Sequence, residues 1–281
     1  MYLLPGSFLV LGLTFSWLHC GRLARATTFC LLCAGTALGT FSPIALTATA
    51  TLAGCVLILE NKPAYKTLTL LTTLALTVLS LSMFMHLVPG FANILLFDQL
   101  SLSHLSRPFS MYLNFDKPLF ALFYLIAFGP QLTRRASAHH TLVAAGKALL
   151  CLLLCVIPLG MHLDYLQWDP KFPSMFWIWA ANNLLVVCIA EEVFFRGFLQ
   201  KNLAIQFNRF ICGEWMAILV SAAAFGLAHF AGGWPYVGLA TLAGVCYGFA
   251  FQQTRSLEAP LLCHFGLNLV HFLYFTYPAS L

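Results

Sequence analysis

Charge is what this sequence has least of. Only 8% of its 281 residues are Asp, Glu, Lys or Arg, where a soluble globular chain carries roughly a quarter. With 60% hydrophobic residues and a mean hydropathy of +0.86, the composition is that of an integral membrane protein. Long polar stretches are missing, which excludes a soluble domain of useful size. A nucleic-acid partner is excluded too, because the net charge of +5 is spread over short loops. The first 25 residues lack a basic stretch ahead of the apolar run and a small-residue cleavage site, so the start is expected to be a first span rather than a removed signal peptide. No His-Glu-x-x-His pair and no Gly-x-Ser nucleophile context occur, which removes two common signatures of membrane hydrolases.

Cysteine, by contrast, is plentiful. Most of the ten, such as Cys30, Cys151, Cys155, Cys188 and Cys246, lie inside apolar runs, where a thiol behaves as a small hydrophobe. Cys30 and Cys33 have a redox-like spacing, but nothing around them would depress a thiol pKa.

Apolar segments fall at about 4–18, 27–41, 44–59, 67–89, 118–130, 143–161, 174–200, 214–231, 234–253 and 257–277. A membrane helix needs about 20 apolar residues and leaves no backbone group unpaired in lipid. The expected fold is therefore all-α, a polytopic transmembrane helix bundle of about 8–10 spans. The stretch 90–117 has scattered aromatics and no clean crossing, and is expected to lie along the interface as an amphipathic segment. It divides an N-terminal membrane region, 1–117, from a C-terminal one, 118–281, that holds every intramembrane ionisable cluster. The pairs Gly35/Gly39 and Gly244/Gly248 have the spacing that lets helix backbones approach closely, and packing is their expected role.

With ten spans, one set of alternate loops carries Arg22, Arg25, Lys62, Lys66, Arg134, Arg135, Lys201, Arg209 and Arg255, and the other carries Arg107, Lys117 and Lys171. By the positive-inside rule this places both termini on the non-cytoplasmic face, in a plasma (inner) membrane protein. Only Lys147 and Arg196 remain inside spans.

Arg196 belongs to the most unusual stretch, "AEEVFFRGF" from 190. A carboxylate deep in a span costs about 2.5–3.5 kcal/mol, so two in succession need partners or a task. Glu192 and Arg196 are four apart on one helix face and can pair, whereas Glu191 points about 100° away and needs a partner from another helix. Two later spans offer candidates. "FGLAHF" places His229 one turn after Phe225, and "CHFGLNLVHF" places His264, Asn268 and His271 on one stripe. An anion, two imidazoles and an amide in a low dielectric can supply a base, a proton carrier and oxyanion donors. His86, His162 and His271 are expected to be packing residues.

These three stretches resemble the motifs of the CPBP family of intramembrane proteases, which includes CAAX prenyl endopeptidases and bacteriocin-processing enzymes: Glu-Glu-x-x-x-Arg, Phe-x-x-x-His, and His-x-x-x-Asn or Asp. The resemblance covers about 174–277. It implies an endopeptidase acting on a membrane-associated protein or peptide in the lipid bilayer. Glu191 would be the general base acting with His229 on a water, His264 and Asn268 would stabilise the oxyanion, and Glu192 and Arg196 would support the site. Members are described both as metalloproteases and as glutamate-dependent enzymes. No cofactor is expected, and zinc on Glu191, His229 and His264 is the alternative. Two other classes stay open: a proton- or cation-coupled transporter, against which stands the lack of a duplicated half with broken helices, and a non-catalytic membrane partner or maturation factor. Counting along the spans puts Glu191 and His264 in the inner half of the membrane but His229 near the outer end of its helix. Either the helix is short or displaced inward there, with 231–236 turning inside the protein, or the span boundaries lie elsewhere.

Overall fold

The computed structural model describes residues 3–281, and each of the ten apolar segments falls on a helix. These are α1 (Leu4–Trp17), α2 (Gly21–Ala37), α3 (Pro43–Glu60), α4 (Lys66–Phe84), α5 (Asp116–Phe128), α6 (Ala138–His162), α7 (Phe176–Gln206), α8 (Gly213–Ala228), α9 (Trp234–Thr254) and α10 (Glu258–Tyr274). Helices α3, α4, α6, α7 and α9 are long and apolar enough to cross a membrane, and α1 and α8 are shorter apolar helices. Their outward faces carry Leu70, Leu71, Leu150, Leu154, Trp177 and Leu219, all more than half exposed. So much exposed apolar surface is stable only in lipid. The protein is an integral membrane protein built as a helical bundle.

The chain forms two compact units. The first comprises Met1–Ile94, Tyr112–Leu132 and Leu185–Ala190, and the second Leu95–Met111, Thr133–Leu184 and Glu191–Leu281. In the first unit α5 is central. Leu119, Phe120, Ala121, Leu122 and Leu125 are buried, and the helix packs against α1, α2, α3 and α4. Local sequence sets the breaks: Ser42 accepts from the Ala45 N–H and Pro43 follows, a capped start that ends any continuity with α2. His86, just past α4, is held by a hydrogen bond: its Nδ1 lies 2.5 Å from the buried Asp116 carboxylate at the start of α5.

In the second unit α9 packs against α6, α8 and α10. The stretch 90–117, expected to make no clean crossing, contains a hairpin of β1 (Ile94–Leu100) and β2 (Phe109–Leu113). Both runs are rich in Leu, Ile, Phe and Tyr, and a Ser- and Pro-containing turn separates them, a composition that suits a half-buried pleat better than a helix. Met111 joins a buried cluster with Met175, Phe176, Trp179 and Phe272, in which the Trp179 and Phe272 rings stack at 3.9 Å. The C-terminal segment is tied down by backbone bonds from Thr276 to Gln167, Ser280 to Tyr165 and Leu281 to Leu105. His271 Nε2 donates to Thr276 O at 2.9 Å, holding the last turn of α10 to that segment.

Candidate active site

All of the candidate residues lie in the second unit. Glu191 and Glu192 sit in the single α-helical turn Ile189–Glu192 of α7, flanked by π-helical stretches Asn183–Cys188 and Val193–Gln200. Such stretches are rare and gather at functional sites, because the extra residue per turn re-aims side chains.

The two carboxylates have different surroundings. Glu192 is fully buried and has ion-pair partners on two helices. Its oxygens lie 3.3 Å from Arg196 Nε and Nη1, and Oε1 also lies 2.8 Å from His264 Nδ1. The pairing expected four residues apart is present, and it has a third member from α10. Arg196, also fully buried, donates through Nη2 to Gly244 O on α9 at 3.1 Å and stands over the rings of Phe225 and Tyr247 at 4.6 and 5.1 Å. These contacts replace the hydration lost by a buried guanidinium.

Glu191 is 7% exposed, and its Oε2 has no hydrogen-bond partner. It faces two imidazoles: His229 Nε2 at 3.9 Å and His264 Nε2 at 3.8 Å. Both rings are anchored by the other nitrogen, His229 Nδ1 to Phe225 O at 2.7 Å and His264 Nδ1 to Glu192 Oε1 at 2.8 Å. A carbonyl only accepts, so His229 carries a proton on Nδ1 and turns Nε2 toward Glu191. Helix α8 has 16 residues, with His229 as its C-cap, and this end of the helix brings His229 to Glu191. Asn268, one turn beyond His264, donates from Nδ2 to Asn183 Oδ1 on α7 at 3.2 Å.

The structure therefore brings Glu191, Glu192, Arg196, His229 and His264 together, and joins Asn268 to α7 through Asn183. Asn183, Gly244, Tyr247 and Gln200 are contributors that the sequence reading missed. Asn183 carried a signal, being a polar residue in the apolar run "AANNLLVV". Gln200 carried another, as the third step of the Glu192, Arg196, Gln200 stripe. Among the described residues no group of three or more His, Cys, Asp or Glu is arranged to hold a metal ion. The 3.8 and 3.9 Å separations exceed the edge of about 3.4 Å that ligands at about 2.1 Å make around a tetrahedral ion.

The searches of curated proteins and of solved structures returned no match. A family model does match: residues 173–270 fit the one described as type II CAAX prenyl endopeptidase Rce1-like. That segment holds all three motifs, and over it the resemblance to the CPBP family is shown.

Proposed function

We propose that this chain is an intramembrane endopeptidase that hydrolyses a peptide bond of a membrane-associated protein or peptide. One observation supports the reading above others: the buried Glu191 carboxylate faces the Nε2 atoms of two imidazoles at 3.8 and 3.9 Å, both rings being anchored through Nδ1. Glu191 Oε2 and His229 Nε2 are both acceptors, and a separation of this size fits one water donating to each.

In this mechanism Glu191 takes a proton from that water as the oxygen attacks the scissile carbonyl carbon. The resulting oxyanion accepts hydrogen bonds from His264 Nε2–H, in the doubly protonated ring, and from Asn268 Nδ2–H. Collapse of the tetrahedral species breaks the C–N bond, and the amine leaves with the proton carried by Glu191 or relayed through His229. No covalent nucleophile and no cofactor are needed. Glu192 and Arg196 hold His264 and the α7 backbone in place.

The matching family model is named for CAAX prenyl endopeptidases, so a prenylated tail is the first substrate to test, and an unprenylated tail or peptide leader the second. The nine-to-three distribution of basic residues between alternate loops supports a plasma (inner) membrane protein with both termini outside the cytoplasm. The deciding experiment is turnover of these substrates by purified protein beside the Glu191→Gln variant. Cleavage by the parent alone supports the reading, and equal cleavage by both would refute it.

A further inference from the structure

Helix α9 carries none of the three motifs, yet it contacts both histidines and Arg196. We propose that α9 is the positioning element of the site, with Tyr236 setting the ring plane of His229 and Tyr247 that of His264. The catalytic consequence rests on the proposed endopeptidase reading, whereas the positioning itself rests on geometry alone.

Tyr247 stacks on His264, with ring centroids 4.6 Å apart and planes 16° from parallel. Tyr236 meets His229 edge to face, at 5.4 Å and 83°. The two tyrosines are eleven residues apart, three helical turns, so both project from one face of α9 within about 20° of each other. Each is itself held. Tyr247 is 1% exposed, with Phe225 edge-on at 5.9 Å, and Tyr236 stacks on Tyr165 at 5.4 Å.

The helix is fastened to α7 by two rungs that continue the Glu192 stripe. Arg196 Nη2 donates to Gly244 O at 3.1 Å, and Gln200 Nε2 to Gly248 O at 2.9 Å. Both positions are tight for a side chain: a Cβ at Gly248 would lie 2.8 Å from Gln200 Oε1 and displace that amide, and one at Gly244 would lie 3.0 Å from the α8 backbone at Ala222. The small-residue pair at 244 and 248 is thus more than a packing seam. It lets polar groups of α7 reach the carbonyls of the helix that orients the histidines.

The physical reason for a second support is simple. A hydrogen bond at Nδ1 fixes one atom of an imidazole and leaves the ring plane to turn about it, and the aromatic contact resists that turn. Nε2 of each ring must meet a reacting group with an error well below 1 Å, since misplacement of that size can cost about 10²-fold in rate.

Carbethoxylation by diethyl pyrocarbonate, read at each histidine by mass spectrometry on purified, monodisperse protein, tests the positioning without any substrate. Tyr247→Leu and Tyr247→Met are expected to raise the rate at His264 at least about threefold and leave His229 unchanged. Tyr236→Leu and Tyr236→Met should do the reverse, and the Phe variants should match the parent. If the parent proteolyses a substrate, the Leu variants should lose about tenfold or more in kcat with KM within about twofold, rescued by Phe. Unchanged rates in folded Leu and Met variants, or both histidines responding to either substitution, would overturn the proposal. A parent without proteolytic activity would refute the endopeptidase reading and leave the carbethoxylation result standing.

Discussion

His264 Nδ1 lies 2.8 Å from Glu192 Oε1, so the second carboxylate of the motif anchors the imidazole that the first one faces. Two adjacent glutamates thereby have separate tasks. Glu192 pairs with Arg196 and His264 at 3.3 and 2.8 Å, while Glu191 Oε2 stands 3.8 and 3.9 Å from its two imidazoles. Glu191→Gln is expected to abolish proteolysis and leave the melting temperature in detergent unchanged. Glu192→Gln should lower both, with activity falling about 10–100-fold as for other groups that orient a reacting histidine. His229→Ala and His264→Ala should also abolish turnover. A Glu192→Gln protein as stable and as active as the parent would dissolve this division of labour.

Arg196→Ala is expected to act on folding first. It strands the fully buried Glu192 and removes the rung to Gly244, and an uncompensated buried charge costs about 3–5 kcal/mol. Arg196→Lys should recover only part of that loss, since one ammonium cannot serve both Glu192 oxygens and the Gly244 carbonyl in the geometry of a guanidinium. Thermal unfolding of the three proteins in one detergent gives the ranking.

Asn268→Ala should cost about 10²–10³ in kcat, the usual loss for one oxyanion donor. Asn183 accepts from Asn268, and its effect on turnover is expected to run through that amide. Asn183→Ala is therefore expected to lose less, and the double variant no more than Asn268→Ala by itself. Additive losses would give Asn183 an independent role.

The parts of this site that were legible in the sequence are those that are expensive in lipid. Glu191, Glu192 and Arg196 stand out because a charge in an apolar run demands an explanation, and His229 and His264 because they recur at helical spacing on later spans. Each apolar run likewise became a helix, since lipid leaves the backbone little choice. The hairpin was not legible, because two short apolar runs without helical period were read against a background of long ones. Span counting could not foresee that His229 meets Glu191, because it assumes full-length helices and α8 ends at 16 residues. Tyr236 and Tyr247 gave no signal: an aromatic in a membrane helix is ordinary, and only the approach of α9 to the two histidines distinguishes them.

Outside the spans, the loop before α7 should make stability depend on pH. Burial alone would raise the Asp169 carboxyl, but hydrogen bonds from Ser103, Lys171 and Ser106 and the Lys171 charge outweigh it and lower its pKa below the ordinary 3.8. A carboxyl lowered by folding stabilises the native state above its unfolded pKa, and that contribution is lost as pH falls toward the folded one. The parent should accordingly lose melting temperature as pH drops through and below about 4. Asp169→Asn should be less stable at pH 7 and show a flatter acid limb over the same range, measured by thermal unfolding from pH 7 to pH 3. Parallel acid limbs in the two proteins would show that Asp169 is not the group responsible.

The question of metal turns on how tightly three atoms converge. Zinc would need Glu191, His229 and His264 as direct ligands at about 2.0–2.2 Å with a fourth position open. Oε2 lies 3.9 and 3.8 Å from the two Nε2 atoms, farther than such bonds require. The anchoring of each ring through Nδ1 suits a metal ligand as well as a proton carrier, so the distances alone distinguish the two. A carboxylate that shares a water with His229 asks for no such contraction. Activity in purified protein is therefore expected to survive exhaustive chelation, with elemental analysis finding well under one zinc per chain. Chelation should also leave the melting temperature unchanged, because no bound ion would be linked to folding. Stoichiometric zinc, a lower melting temperature after chelation, and activity restored only by adding the metal back would assign the three residues as ligands instead.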